Sequence, residues 1–325
     1  MRNITMLIYY PVFFVFAILT SCVQTDEIIT TRVKEVGCMD IFPDSSFFSD
    51  LRGLTCGDNC IYMLDVNRRN VVGVSMDFSK MFEYGVGGRG PGELQAPYSF
   101  VVNHKKVSII DFMTKTIKHY DSRGYIGEDV LNFPPRDNRF CVIDDSYLIP
   151  VRSEANQFVC WQNDSICFAG HTIEIGSPLR TLTMNASDIL TYEDKIIVVP
   201  KAFPYIYIYN NKFVLLNKVD LSTVKFYSDN LSYVSANSVD NDDKSYYNLN
   251  IDAYCSGNLL YLLCPRYGKT YKSDRVLEID LTSGHVTSVL ALPDGCYRSI
   301  CVNDDKLYAF NSTRCSLDVI ALHVI

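Results

Sequence analysis

An apolar strand closed by a turn recurs along this chain, as CIYMLD (60–65), KVSIID (106–111), SYLIPV (146–151), KIIVVP (195–200), NLLYLLCP (258–265) and KLYAFN (306–311). With Leu64, Ile110, Pro150, Val199, Leu263 and Phe310 taken as equivalent, the spacings are 46, 40, 49, 64 and 47 residues. Repeats of roughly 40 to 50 residues with this strand content are the length of a four-stranded propeller blade, a unit that buries its faces only by stacking on its neighbours.

Each unit reads as four strands. The first supplies LRGLTCG, CIYMLDV, NVVGVSMD and KMFEYGVG, with residues 67–70 as a hairpin loop. In the third, FVCWQ and SICFAG flank Asn163-Asp164, a two-residue hairpin signal. The sixth supplies YRSICVND, KLYAFN and SLDVIALHVI and lacks an outer strand, while IITTRVKEV (28–36) is a strand-like segment with no unit of its own. Pairing the two covers an exposed sheet edge and closes the ring. The expected fold is all-β, a six-bladed β-propeller over residues 28–325 with ring closure by an N-terminal strand.

Arg2 is the only charged residue before Asp26, and residues 6–19 are an apolar run interrupted by Pro11. A membrane span needs ~20 apolar residues, so this run suits the core of a signal peptide instead. Leu19-Thr20-Ser21-Cys22 resembles the lipobox of bacterial lipoproteins, whose cysteine is lipidated and becomes the new N-terminus. That resemblance implies a lipoprotein signal peptide at 1–21, lipidation of Cys22, a tether over 22–27 and membrane attachment through lipid without a spanning helix. Val23 after the cysteine favours the outer membrane by analogy with proteobacterial sorting, with the periplasmic or surface face left open.

The formal net charge is −7, and −8 once residues 1–21, with one Arg and no acid, are removed. An acidic chain of this kind is a poor nucleic-acid binder, which draws on a basic surface.

GVGGRGPGEL (85–94) carries G-x-G-x-x-G in Gly85, Gly87 and Gly90. It leads into the strand APYSFVV and not into a helix, so no helix N-terminus is present to receive a pyrophosphate, and no cofactor is expected. The stretch reads as the connection between the first two blades. Together with Pro97 and the IYMLD and VSIID strands, it resembles the six-bladed propeller lipoproteins of Bacteroidetes, related in architecture to NHL-repeat and TolB-like propellers. The resemblance implies fold and export and brings no activity with it.

In an up-and-down blade, the blade-to-blade loops and the loops between second and third strands share one face of the disc. On that face the pattern Pro150-Val151-Arg152, Pro200-Lys201 and Pro265-Arg266 repeats, the Gly-rich loop adds Arg89 and Glu93, and Tyr205 and Tyr267 lie close in sequence. Converging cations on an acidic protein would attract an anionic glycan or peptide, with the tyrosines as stacking platforms. The alternative for these residues is solvated turn chemistry, and for Arg89 and Glu93 a salt bridge that pins the loop.

No catalytic or metal pattern is present: the five histidines show no H-E-x-x-H or H-x-H spacing, no G-x-S-x-G elbow occurs, and acidic clusters such as 240–243 lack EF-hand spacing. Eleven cysteines follow Cys22. The 163–164 turn sets Cys160 opposite Cys167, within disulfide reach, and Cys56 with Cys60 is a second local pair; buried free thiols are the alternative for both. Residues 222–250 exceed what a propeller connection needs and are a candidate cap or partner contact. The sequence therefore reads as an exported, lipid-anchored binding or protein-interaction module of the bacterial cell envelope. A propeller lyase or hydrolase acting on an acidic glycan or peptide is the alternative.

Overall fold

The computed structural model describes residues 28, 30–57, 59–162, 165–237 and 247–322. The signal segment, Cys22 and its tether, the Asn163-Asp164 turn and part of the 222–250 insertion lie outside the described residues.

Six sheets of four or more strands follow one another in chain order. Blade one is built from Leu51–Gly57, Cys60–Asp65, Asn70–Ser75 and Met81–Tyr84, and blade two from Pro97–Asn103, Lys106–Asp111, Thr116–Asp121 and Gly124–Val130. Blade three runs from Cys141–Ile143 to Ser165–Ala169, blade four from Ser187–Tyr192 to Leu215–Asp220, and blade five from Asp252–Ser256 to Val286–Ala291. Blade six opens with Tyr297–Asn303, Lys306–Asn311 and Ser316–Ala321.

The second strand of each blade reads as a continuous apolar run because both of its faces are covered. Ile61, Met63 and Leu64 in blade one, and Ile196, Ile197, Val198 and Val199 in blade four, are wholly buried. The core is accordingly divided into six apolar clusters, one in each seam between adjacent blades. Where the second strand ends in a carboxylate or amide, that group stitches two loops together. Asp65 accepts from the backbone N–H of Ser49 and Arg68, both at 3.1 Å, and Asp111 accepts from Gln95 at 2.7 Å and from Ala96 and Met113 at 3.1 Å. The Asp that ends IYMLD and VSIID is therefore a fastening between the incoming link and the next hairpin, since buried N–H groups in such turns need an acceptor.

Ring closure is performed by the N-terminal segment, in two steps. Thr30–Arg32 lies parallel to Val286–Ala291 at the outer edge of blade five, with Thr30 opposite Val289. Val33 is buried in the seam between blades five and six, and Lys34–Met39 then pairs antiparallel with Ser316–Ala321 as the fourth strand of blade six. The closing strand thus begins later than 28 and extends to residue 39, because burying Val33 uses the start of the segment on the neighbouring blade.

Two short α-helices interrupt the pattern. Pro178–Met184 precedes blade four, with the Ser177 side chain accepting from Arg180 N–H at 3.2 Å and proline in the first turn, where its missing donor costs nothing. At the start of the 222–250 insertion a 3-10 turn, Leu221–Thr223, leads into Lys225–Asn237. That helix docks through buried Tyr227, whose hydroxyl donates to Asn250 Oδ1 at 2.7 Å, and Asn230, whose Nδ2 donates to the Pro265 carbonyl at 2.7 Å.

Candidate functional site: the axial mouth

The innermost strands of all six blades start at the same end of the disc axis, and the residues there enclose a cavity of about 510 Å3. Its floor is Arg139, just before the first strand of blade three. Arg139 Nε and NH2 grip both oxygens of Asp252 from blade five at 2.6 and 2.7 Å, and NH1 donates to the Leu54 carbonyl of blade one at 2.8 Å. NH2 also reaches Ser299 Oγ and the Ile300 carbonyl of blade six at 3.2 and 3.0 Å. A bidentate guanidinium pair with further acceptors around it is the arrangement in which a buried ion pair is compensated.

Burial works against both charges of this pair. The opposed ion outweighs it, so the pKa of Arg139 is raised and that of Asp252 lowered. Asp188 differs: burial raises its pKa, the Lys201 ammonium pulling against that and the Asp252 charge adding to it. Lys201 Nζ donates to the Asp188 carboxylate and to the Ile251 carbonyl, the latter at 2.7 Å.

The rim carries charge that is still open to solvent. Arg52 and Arg298 share Asp50, at 3.1 and 2.8 Å, with about half of each arginine side chain exposed, and the Arg52 guanidinium sits 6.0 Å from the Tyr98 ring centroid. Arg136 is anchored by a 2.9 Å bond from Nε to the Val151 carbonyl and by its contact with the Leu182 carbonyl of the short helix. The lining thus holds five cations, Arg52, Arg136, Arg139, Lys201 and Arg298, against three carboxylates, Asp137, Asp188 and Asp252. The side-chain carbonyl oxygens of Asn138 and Asn248, both in the lining, are buried with no hydrogen-bond donor among the described residues. An unfilled buried acceptor is a cost that a ligand donor would remove.

Of the seven residues that the sequence suggested for this face, Lys201 alone lines the cavity. Arg266 is held by Asp274 through two bonds of 3.1 and 2.7 Å. Tyr267 stacks on Tyr233 at 5.3 Å, meets Tyr247 edge-on at 5.3 Å and donates to the Asn248 carbonyl at 2.7 Å, so it belongs to an aromatic cluster that seats the inserted helix. Tyr205 lies under the Lys218 ammonium at 3.4 Å from its centroid. Arg152 and Arg89 are exposed on their loops.

Glu93 is committed to the Gly-rich loop: its carboxylate accepts from Gly90 N–H at 2.6 Å, and Val86–Gly87 pairs in parallel with Glu93–Leu94. A Cβ at Gly88 would collide with that carboxylate, and Gly92, at φ +72°, accepts from the Tyr120 hydroxyl at 2.9 Å. The glycines serve close approach and a left-handed turn. The signal that would have found Arg52, Asp188 and Arg298 is a charged second residue on three innermost strands, LRGLTCG, SDILTY and YRSICVN.

All eleven described cysteines are free. Cys160 faces Cys167 in the register of blade three. Cys60 faces Gly57, while Cys56 lies with its sulfur 3.0 Å from that of Cys301 in blade six. Among the described residues no group of three or more His, Cys, Asp or Glu is arranged to hold a metal ion, and no helix is long and apolar enough to cross a membrane.

Solved structures similar to this chain include a Bacteroides fragilis protein designated as exported, at 15% identity and TM-score 0.61, covering 91% of this chain and 96% of that one. Virginiamycin B lyase of Staphylococcus aureus is similar at 10% identity and TM-score 0.53, over 90% and 100%. The WD40 beta propeller domain of Doa1 is similar at 11% identity and TM-score 0.54, over 91% and 98%. At these identities the likeness is one of fold, and with 1107 solved chains matching it singles out no activity. No curated protein matches. The family model for DUF5128, 6-bladed beta-propeller, matches residues 43–255, two thirds of the chain, and the chain belongs to that family.

Proposed function

We propose that this protein is an exported, lipid-anchored binding module whose axial mouth takes an acidic, hydroxyl-bearing ligand, an acidic glycan before an acidic peptide. The observation that carries the reading is the lining of the mouth, where five cations face three carboxylates and the two half-exposed arginines share one aspartate. Such a rim draws an anion in and leaves Arg52 and Arg298 able to turn toward it, while a planar guanidinium pairs with a carboxylate in two-point geometry. The unfilled acceptors of Asn138 and Asn248 ask for hydroxyl or ammonium donors on the same ligand, which a sugar acid carries.

Attachment through Cys22 to a bacterial outer membrane, with the propeller as an NHL- or TolB-like module of a Bacteroidetes envelope, is part of the same proposal. It rests on the lipobox resemblance at 19–22 and on the similarity to an exported Bacteroides fragilis protein.

The test is a thermal-shift and calorimetric screen of the chain from Asp26 against acidic oligosaccharides and peptides, beside an Arg52→Ala, Arg298→Ala variant. A ligand at ~100 times its Kd stabilises the fold by ~2.7 kcal/mol. A shift present in the wild type and lost in the variant supports the reading. Neutral and acidic sugars acting alike, or a shift that survives both substitutions, overturns it.

A further inference from the structure

Blade two departs from its five siblings at one buried position. Ser108 stands where the matching second strands carry Tyr62, Leu148, Ile197, Tyr261 and Tyr308. Its hydroxyl faces His119, directly opposite on the next strand, with Oγ 3.0 Å from Nδ1. On the far side of the same imidazole, Nε2 lies 2.7 Å from Oδ2 of Asp129, on the outermost strand.

A carboxylate only accepts, so Nε2 carries the proton and Nδ1 is left as a lone pair aimed at the serine. Burial lowers the His119 pKa, with Asp129 pulling against it, and the ring is neutral at pH 7. Across the seam, blade three places the Tyr147 hydroxyl 3.0 Å from Ser108 Oγ and stacks its ring beside the imidazole at 6.0 Å. Ser108, Asp129 and Tyr147 line a cavity of about 650 Å3, together with Lys106, Trp161 and Gln162. Its walls come from the first and third hairpins of blades two and three, so it opens on the face of the disc opposite the axial mouth.

We propose that Ser108 is a nucleophile, with His119 as its general base and Asp129 as the group that orients the imidazole, for acyl transfer from a small ester bound in this inter-blade cavity. The site goes beyond the axial binding reading and stands or falls separately from it. As Ser108 Oγ bonds to the carbonyl carbon, its proton passes to His119 Nδ1, and the imidazolium is stabilised by Asp129 through Nε2–H. The negative charge that develops on the carbonyl oxygen is met by the Tyr147 hydroxyl as donor. Collapse breaks the bond to the alcohol, which leaves with the proton from Nδ1. Water then adds by the same route and releases the acid and free Ser108. An aromatic or aliphatic side chain, as in the other blades, would satisfy packing with no polar group to compensate.

The experiment is exposure of the folded chain to phenylmethylsulfonyl fluoride, read by intact mass and peptide mapping, in parallel with release of 4-nitrophenol from 4-nitrophenyl acetate. In labelling, Oγ bonds to sulfur, fluoride leaves and His119 takes the hydroxyl proton. One adduct on Ser108 is expected, absent in Ser108→Ala and slowed on the order of 100-fold in His119→Asn. Asp129→Asn, at a half-exposed position, provides the same comparison should the histidine variant not fold. An unmodified Ser108 under conditions that fully label a serine hydrolase control overturns the proposal. So do labelling and ester release that are unchanged in Ser108→Ala.

Discussion

The seam between blades six and one is cross-linked by polar groups, whereas the seam between blades two and three is held by apolar packing around one hydrogen-bonded relay. Across the first, Leu54 N–H donates to Ser299 Oγ at 2.8 Å, Arg298 meets Asp50 at 2.8 Å, and the Arg139 guanidinium bonds to both blades. Across the second, Ile110 and Ile117 meet Phe140, Ile149, Val159 and Trp161. Blades two and three follow each other along the chain, while six and one meet through a strand borrowed from the N-terminal side. Where continuity of the chain does not hold two blades together, fixed polar contacts are added to the apolar packing of the seam.

The largest expected effect is removal of the closing strands. Deleting residues 30–39 uncovers the edges of blades five and six and strips Val33 and Met39 from their seams. Loss of most of the ~5–15 kcal/mol that holds a domain folded is expected, seen as collapse of the denaturant midpoint. A midpoint within experimental scatter of wild type would mean that the polar contacts of the six–one seam close the ring unaided.

Next comes Arg139→Met. It leaves Asp252 buried without its partner, which costs about 3–5 kcal/mol, and a further Asp252→Asn change should recover part of that loss. Ser108→Ala at the other seam removes two neutral hydrogen bonds and leaves the buried Nδ1 of His119 without that donor, at a cost of about 1–3 kcal/mol. Equal costs at the two positions would erase the distinction between the seams.

How legible this was in the sequence follows from the same contrast. The blades were readable because a buried strand repeats its apolar pattern locally, and the fourth strand missing from the sixth unit pointed to an N-terminal donor. The mouth was not readable in detail because its pairings are remote: Arg139 and Asp252 are 113 residues apart. Arg266 read as a free cation, yet Asp274, eight residues on, claims it once the strand turns back. Ser108 and His119 face each other across a single hairpin. The register of that hairpin pairs them, a signal that fixed motif spacings do not carry.

The third prediction uses thiol chemistry at the closing seam. Diamide should join Cys56 to Cys301 before it joins Cys160 to Cys167, because the first two sulfurs already lie 3.0 Å apart. Burial holds the Cys301 thiol well above its ordinary pKa, so attack begins from the partly exposed Cys56. Peptide mapping without reductant reads the order, and a Cys160–Cys167 bridge formed first would show that the six–one seam moves more than its contacts suggest.

The smallest effect separates the relay at the two–three seam from ordinary packing. His119 titrates near 6.5 when unfolded and lower in the fold, since burial outweighs Asp129. Below about pH 6.5 the unfolded chain takes up a proton that the native ring refuses. Stability should therefore fall as the pH drops toward the folded value and level off beyond it. The slope from this group is at most about 1.4 kcal/mol per pH unit, and His119→Asn should remove it, leaving whatever slope the remaining groups supply. Urea titrations of both proteins between pH 7 and 5 measure the difference. If the two lines run parallel, the folded ring takes up its proton as the unfolded chain does, and a wild-type line that rises as the pH falls would mean a charged ring whose Nδ1 is no base for Ser108. A steeper wild-type line would confirm a neutral ring held between serine and carboxylate, the protonation state that the proposed acyl transfer requires.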